Sequence, residues 1–271
     1  MSDVSDQQLL ESYIQIWHQA CQDFDALARA LTPDELMLPT DLPGWNVFDN
    51  IAHTAHLEHV LATGQEETVT FEPGPHVKGP LGMYTEQGVL ARRGRDVSKV
   101  LDELGTAVAK RYAALQANPP TDAGGTPERT FAGVPWGNET LLGNRPLDVW
   151  MHAQDIRRAV GRPGGFDEPA ARHTVGRLAA GIPMVWGKRV GAPSGSSVRV
   201  NVGDQSFGAF VGSDGRASAA LPDDPTARIT MSPQDFVVLA GGRRGRDAVT
   251  ADIEGDRDLA EAFLSNLAIT P

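Results

Sequence analysis

At Gly161-Arg-Pro-Gly-Gly165 the hydrophobic period of the chain changes, and that change most constrains its fold. Before it, Leu9, Leu10, Tyr13, Ile14, Trp17, Cys21, Phe24, Leu27 and Leu31 recur at helical spacing and predict a long amphipathic helix over residues 6–30. After it come period-two runs, Ser197-Val-Arg-Val-Asn-Val202, Ser206-Phe-Gly-Ala-Phe-Val211 and Ala227-Arg-Ile-Thr-Met231. These alternate as half-buried strands do and are joined by Gly-containing turns. A length of 271 residues suits two domains. The sequence therefore predicts an α plus α+β chain, with a four-helix bundle over residues 1–164 and a small α+β domain over residues 165–271.

Within the first part, Asn46 is placed to cap a second helix running to residue 63, with Asp49 in the capping-box position. Residues 66–83, with Pro73, Pro75 and Pro80, read as an irregular crossing connection. A third helix is expected over residues 86–116. A fourth is capped by Asn144, with Pro146 in its first turn and its stop at Gly161. In the second part the pattern predicts a helix over residues 169–186 and a short helix from Ser232. A further strand is expected over residues 248–253 and a closing helix over 256–268.

Composition narrows the function. A formal charge of -11 argues against a nucleic-acid surface, and the one basic cluster, Arg243, Arg244 and Arg246, has the form of a solvated turn. Cys21 is the only cysteine and falls on the apolar face of the first helix, so it reads as a small core residue. The N-terminus lacks the basic and apolar regions of a signal peptide, and no apolar run has the length of a membrane span. A cytoplasmic, reducing location is expected. Dinucleotide, phosphate-loop, nucleophile-elbow and CxxC motifs are absent in any credible context.

Asp148, His152 and Asp155 fall along one side of the predicted fourth helix, since residues three or four apart are surface neighbours. A carboxylate and an imidazole one turn apart make half of a metal site; on an exposed helix they make an ordinary ion pair. The missing ligand has a source in the second helix, where His53 continues the line of Asn50, Leu57 and Val60 and so faces inward. His56, His59 and Glu58 turn progressively off that line and are weaker candidates, while His18, His76 and His173 read as structural or solvated. Asp155 is available to orient a ring nitrogen or a neighbouring ligand. Two histidines and one carboxylate leave an open coordination position, as catalytic zinc sites do, and do not exclude nickel, cobalt or iron. Such an ion could lower the pKa of bound water or hold a thiol as thiolate, and spacing does not choose between them.

The stretches Asp41-Leu-Pro-Gly-Trp-Asn-Val-Phe-Asp-Asn-Ile-Ala-His53 and Arg145-Pro-Leu-Asp-Val-Trp-Met-His-Ala-Gln-Asp-Ile-Arg-Arg-Ala-Val-Gly161 resemble the two signatures of the mycothiol-dependent maleylpyruvate isomerase family. Phe236-Val-Val-Leu-Ala-Gly-Gly-Arg-Arg244, Glu254-Gly-Asp-Arg-Asp-Leu-Ala260 and the ending Leu267-Ala-Ile-Thr-Pro271 resemble that family's C-terminal domain. The resemblance implies a DinB-like metal-binding bundle followed by a sterol-carrier-like domain. It implies a divalent metal, zinc first, held by His53, Asp148 and His152, and mycothiol, the actinobacterial low-molecular-weight thiol, as cosubstrate. Asp155 would support that cofactor site, and Arg243 would grip the thiol or substrate anion.

In an isomerase of this kind the thiolate adds to an activated double bond, the resulting single bond rotates, and elimination gives the trans product. In an S-transferase the adduct with the electrophilic small molecule is released. One departure is Asp148 where the isomerase type carries glutamate, one methylene longer. Two other readings remain: a non-enzymatic protein binding metal and a small apolar ligand, and a metal-dependent hydrolase that needs no thiol.

Overall fold

A computed structural model describes residues 5–270; residues 1–4, which belong to the stretch read for signal-peptide features, and Pro271, the end of the last family-like stretch, lie outside them. Two compact units divide between Gly165 and Phe166. The first is helical. Helix α1 (Asp6–Arg29) begins with a capping box between Ser5 and Gln8, and the short α2 (Pro33–Leu36) begins with one between Thr32 and Glu35. Helix α3 (Val47–Thr63) has the expected box between Asn46 and Asp49 and stops at Gly64, whose φ of 73° suits a left-handed cap.

The next two elements correct the sequence reading. Instead of an irregular connection followed by one helix, α4 (Gly79–Leu90) starts with Pro80 in its first turn, and the chain then turns through Gly94 at φ 79°. Asp96 caps α5 (Val97–Ala117). Proline breaks a helix only in its interior, and the missing N–H of Pro80 costs nothing in a first helical turn. The helix expected from Asn144 is also longer: α6 (Asn138–Ala159) carries Pro146 in its interior. Pro146 removes one helical hydrogen bond, yet the helix continues through it because Leu141, Leu142, Val149 and Trp150 around it are buried core residues.

The long helices form a bundle in which α1 packs on α5 and α6, and α3 packs on the same two. At its centre is a carboxylate. Glu58 of α3 is fully buried and accepts from the Trp17 indole of α1 at 2.9 Å and from Arg111 Nη1 of α5 at 2.9 Å. It also accepts from Arg145 Nε of α6 at 3.0 Å. All four long helices therefore meet on one side chain. Burial alone would raise the Glu58 pKa, but the Arg145 and Arg111 charges outweigh it and hold the carboxyl below its ordinary value.

Helix α4 crosses α3 closely. A Cβ on Gly88 would lie 2.1 Å from the ring of His56, which is itself fully buried. Only glycine fits there.

The second unit begins with α7 (Pro169–Ala179), which stops at Ala180 rather than continuing to residue 186. The chain turns at Gly181 into the short α8 (Ile182–Met184), with Pro183 in its first turn, and a single π turn follows over Val185–Arg189. Strands β1 (Ser197–Val202), β2 (Gln205–Val211), β3 (Ala217–Ala219), β4 (Ala227–Met231) and β5 (Asp252–Gly255) form a sheet of order β3-β2-β1-β4-β5. Pairing is antiparallel except between β1 and β4. The short edge strand β3 escaped the sequence reading. The last strand lies later than expected, because residues 246–248 form a 3₁₀ turn. Helices α9 (Pro233–Ala240) and α10 (Arg257–Ser265) complete the unit, with Phe236, Phe263 and Trp186 in its core.

Two stability predictions follow from the bundle. Glu58→Gln leaves two buried guanidinium groups short of a charge partner and should cost about 3–5 kcal/mol at neutral pH, read by urea unfolding. A carboxyl with a depressed folded pKa contributes fully above its unfolded value of about 4.3 and loses that contribution as pH falls through the folded value. The gap between Glu58→Gln and the parent chain should therefore narrow in acid. Gly88→Ala should destabilise by about 1–3 kcal/mol through overpacking against His56, although alanine is the better helix former by about 1 kcal/mol.

Candidate metal centre

Helices α3 and α6 pack side by side, and their facing turns bring His53, Asp148 and His152 together. One ligand atom of each lies within 4.8 Å of the others. His53 Nε2 is 3.6 Å from Asp148 Oδ2, and His152 Nε2 is 3.7 Å from Asp148 Oδ1. Tetrahedral coordination with bonds of about 2.1 Å would separate ligand atoms by about 3.4 Å. The nearest imidazole–carboxylate separations are close to that value, and two imidazoles with a carboxylate are a donor set that suits a divalent ion such as zinc. Both rings are buried, while the Asp148 side chain is 22% exposed, so the cluster is most open at the carboxylate.

Each member is held by groups outside the triad. Arg145 Nη1 donates to Asp148 Oδ2 at 3.0 Å, linking the site to the Glu58 carboxylate. His152 Nδ1 is 2.8 Å from Asn50 Oδ1 and 3.4 Å from Asp155 Oδ2. Asp155, fully buried, is paired with Arg158, whose Nε reaches Asp41 Oδ2 at 2.6 Å. The Trp45 ring packs at a tilt against both imidazoles, 5.0 Å from His53 and 6.0 Å from His152 between centroids. Its indole N–H donates to Glu86 Oε2 at 2.7 Å.

These contacts set the charges. Burial opposes ionisation of Asp148, yet the Arg145 charge and the two histidines more than offset it and hold the carboxyl well below its usual range. Burial lowers the His53 pKa, with Asp148 opposing in part. For His152 burial also acts downward, but Asp148 and Asp155 prevail and its pKa is raised. The two imidazoles are therefore inequivalent.

The weaker candidates stand outside the triad. Glu58 is committed to its two arginines. His56 is buried beside Tyr84, and burial together with the Arg92 charge lowers its pKa to about 3, so it is a neutral packed ring. His59 Nδ1 lies 3.5 Å from Glu103, His76 Nε2 lies 3.4 Å from Glu86, and His18 stacks on Tyr112. Burial, reinforced by Glu58, raises the Cys21 thiol well above its usual pKa, which suits a core residue and not a nucleophile. Arg243 belongs to the second unit, just after α9, where its Nη1 donates to Gly241 O at 2.8 Å. Among the described residues no helix is long and apolar enough to cross a membrane.

Sequence reasoning did not single out Trp45, Asn50 or Arg145 as parts of the site. Arg145 stood three residues before Asp148 on the same helix, a signal of pairing that could have been read. Asn50 stood on the His53 line, but nothing local pointed it at a ring on another helix.

Comparison with known proteins bears on the family and the fold. The mycothiol maleylpyruvate isomerase N-terminal domain matches residues 17–157, and the C-terminal domain of the same family matches residues 172–262. No curated protein matches the chain significantly. Among solved structures, a crystal structure of the mycothiol-dependent maleylpyruvate isomerase matches with a TM-score of 0.54 at 20% identity, over 92% of this chain and 95% of that one. A histidine-to-alanine mutant of that enzyme matches with a TM-score of 0.51 at 19% identity over the same shares. At these identities the structural likeness speaks to the fold. With both domain models aligned in order along its length, the chain belongs to the mycothiol maleylpyruvate isomerase family.

Proposed function

We propose that this protein is a metal- and mycothiol-dependent enzyme, a cis-trans isomerase of the maleylpyruvate type or an S-transferase acting on an electrophilic small molecule. The observation that carries the reading is the convergence of His53, Asp148 and His152 within 4.8 Å, in a chain of this family. A divalent ion, zinc first, would supply there the Lewis acidity that keeps a thiol deprotonated at neutral pH.

The chain's own residues prepare that chemistry. Arg145 keeps Asp148 ionised and anchors it through Oδ2, while Oδ1 faces His152. Trp45 packs against the two imidazoles, and its tie to Glu86 fixes the indole in place. Asp155 acts on the far nitrogen of His152 as an oriented negative charge. Arg243 is assigned the substrate or thiol anion because the family resemblance points to it and a guanidinium can bind a carboxylate bidentately.

Metal analysis of purified protein should find about one divalent ion per chain, as a single open site holds. His152→Ala should lose the ion and the thiol-dependent turnover together. Turnover that survives loss of the ion, or that proceeds without added thiol, would sink the mechanism. Arg243→Ala should raise KM for an anionic substrate while leaving metal content unchanged.

The reading also fixes a pH dependence. An imidazole must be deprotonated to act as a ligand. His152 holds its proton to a higher pH than the ordinary value of about 6.5, so proton competition begins above that value and strengthens as pH falls. His53, with a lowered pKa, contributes little to this competition near neutrality. Zinc titrations by calorimetry should show affinity falling steadily from pH 8 to pH 6, roughly the span in which a raised imidazole pKa titrates. A flat affinity over that span would remove His152 from the ligand set.

A further inference from the structure

Asn50 lies on α3 one turn before His53, and the proposed chemistry does not use it. Its side chain is fully buried. The amide Nδ2 lies 2.9 Å from the backbone carbonyl of Asn46 and 3.4 Å from Thr40 Oγ1. A carbonyl oxygen can only accept, so the Asn50 nitrogen must be the end that faces it. Oδ1 is thereby turned to His152 Nδ1 at 2.8 Å. An amide oxygen also only accepts, so Nδ1 must carry a proton. In the neutral ring the lone pair is then on Nε2, the atom that faces Asp148 Oδ1 at 3.7 Å.

We infer that Asn50 is a positioning residue that holds His152 in its Nδ1–H tautomer and so presents Nε2 to the triad. The inference deepens the metal reading above and rests on it only for the use made of Nε2. Helix α3 would then supply one ligand, His53, and also the orientation of the ligand on α6. The chain of donors is anchored at the start of α3, because Asn46, whose carbonyl sets the Asn50 amide, is itself the cap of that helix. Asp155 Oδ2 is the competing acceptor for the same proton. It is farther, at 3.4 Å, and its other oxygen is paired with Arg158. His53 has no matching device: its Nδ1 has no hydrogen-bond partner among the described residues.

The test reads the tautomer directly, without any metal. In metal-free protein at alkaline pH, long-range proton–nitrogen correlation spectra of nitrogen-labelled histidine should show His152 with Nδ1 protonated and Nε2 bare. Asn50→Leu, which removes the acceptor, should give a mixture of tautomers and weaken zinc binding by roughly 10–100-fold. Asn50→Asp keeps an acceptor for Nδ1 but loses the donor to the Asn46 carbonyl, so it should retain the Nδ1–H tautomer while giving up part of the affinity. His53→Ala should abolish zinc binding yet leave the His152 tautomer unchanged, which separates this inference from the metal reading. An Nε2–H tautomer in the parent chain would overturn the inference. So would an unchanged tautomer and affinity in Asn50→Leu, which would hand the role to Asp155. Loss of the Nδ1–H tautomer in the Asp variant as in the Leu variant would reduce Asn50 to a packing residue. If the parent chain bound no zinc, the metal reading would fall while the spectra still decided the tautomer.

Discussion

The carboxylate of Glu58 is the interaction on which the helical unit depends. It is fully buried and takes a donor from each of the other three long helices, the Trp17 indole and the guanidinium groups of Arg111 and Arg145. Burying such groups costs several kcal/mol per ion, so the cluster adds little net stability over an apolar replacement. Its effect is on register. Sliding α3, α5 or α6 by one turn, about 5.4 Å, would strand a charge in the core. The candidate ligands on α3 and α6 are therefore aligned by electrostatics as well as by apolar packing.

Two guanidinium groups against one carboxylate leave a positive excess, and Asp148 meets it. Arg145 spans both acids, 2.9 Å from Glu58 and 3.0 Å from Asp148. Core and site are thus one charge system, and Asp148 is both a candidate ligand and a counter-ion. The short aspartate arm suits this double duty, because it keeps the carboxylate close to its own helix, where Arg145 stands three residues earlier. Both imidazoles still come within 3.6 and 3.7 Å of it.

The features legible in the sequence were those written locally. Caps at Asn46 and Asp49, the period-two runs of β1 and β4, and the i,i+4 placing of Asp148 and His152 each depend on residues a few positions apart. Prolines misled in both directions, since the effect of Pro80 and Pro146 depends on whether they fall in a first turn or in an interior held by packing. The Glu58 network was invisible because its partners are 41, 53 and 87 residues away, and nothing near Glu58 announces them. The same holds for Asn50 and His152, which are 102 residues apart.

Gly88 shows how a missing side chain can shape a site it never touches. Where it crosses His56, α4 approaches α3 to a distance that no larger residue allows. Two residues earlier, the same helix carries Glu86, which holds the indole of Trp45 against the imidazoles. The placing of that indole is thus gauged by a hydrogen atom standing where other residues carry a carbon. A methyl group at position 88 would press α4 away from α3, and the strain would reach the candidate site through Glu86 and the Trp45 indole, with His53, Asp148 and His152 themselves unchanged.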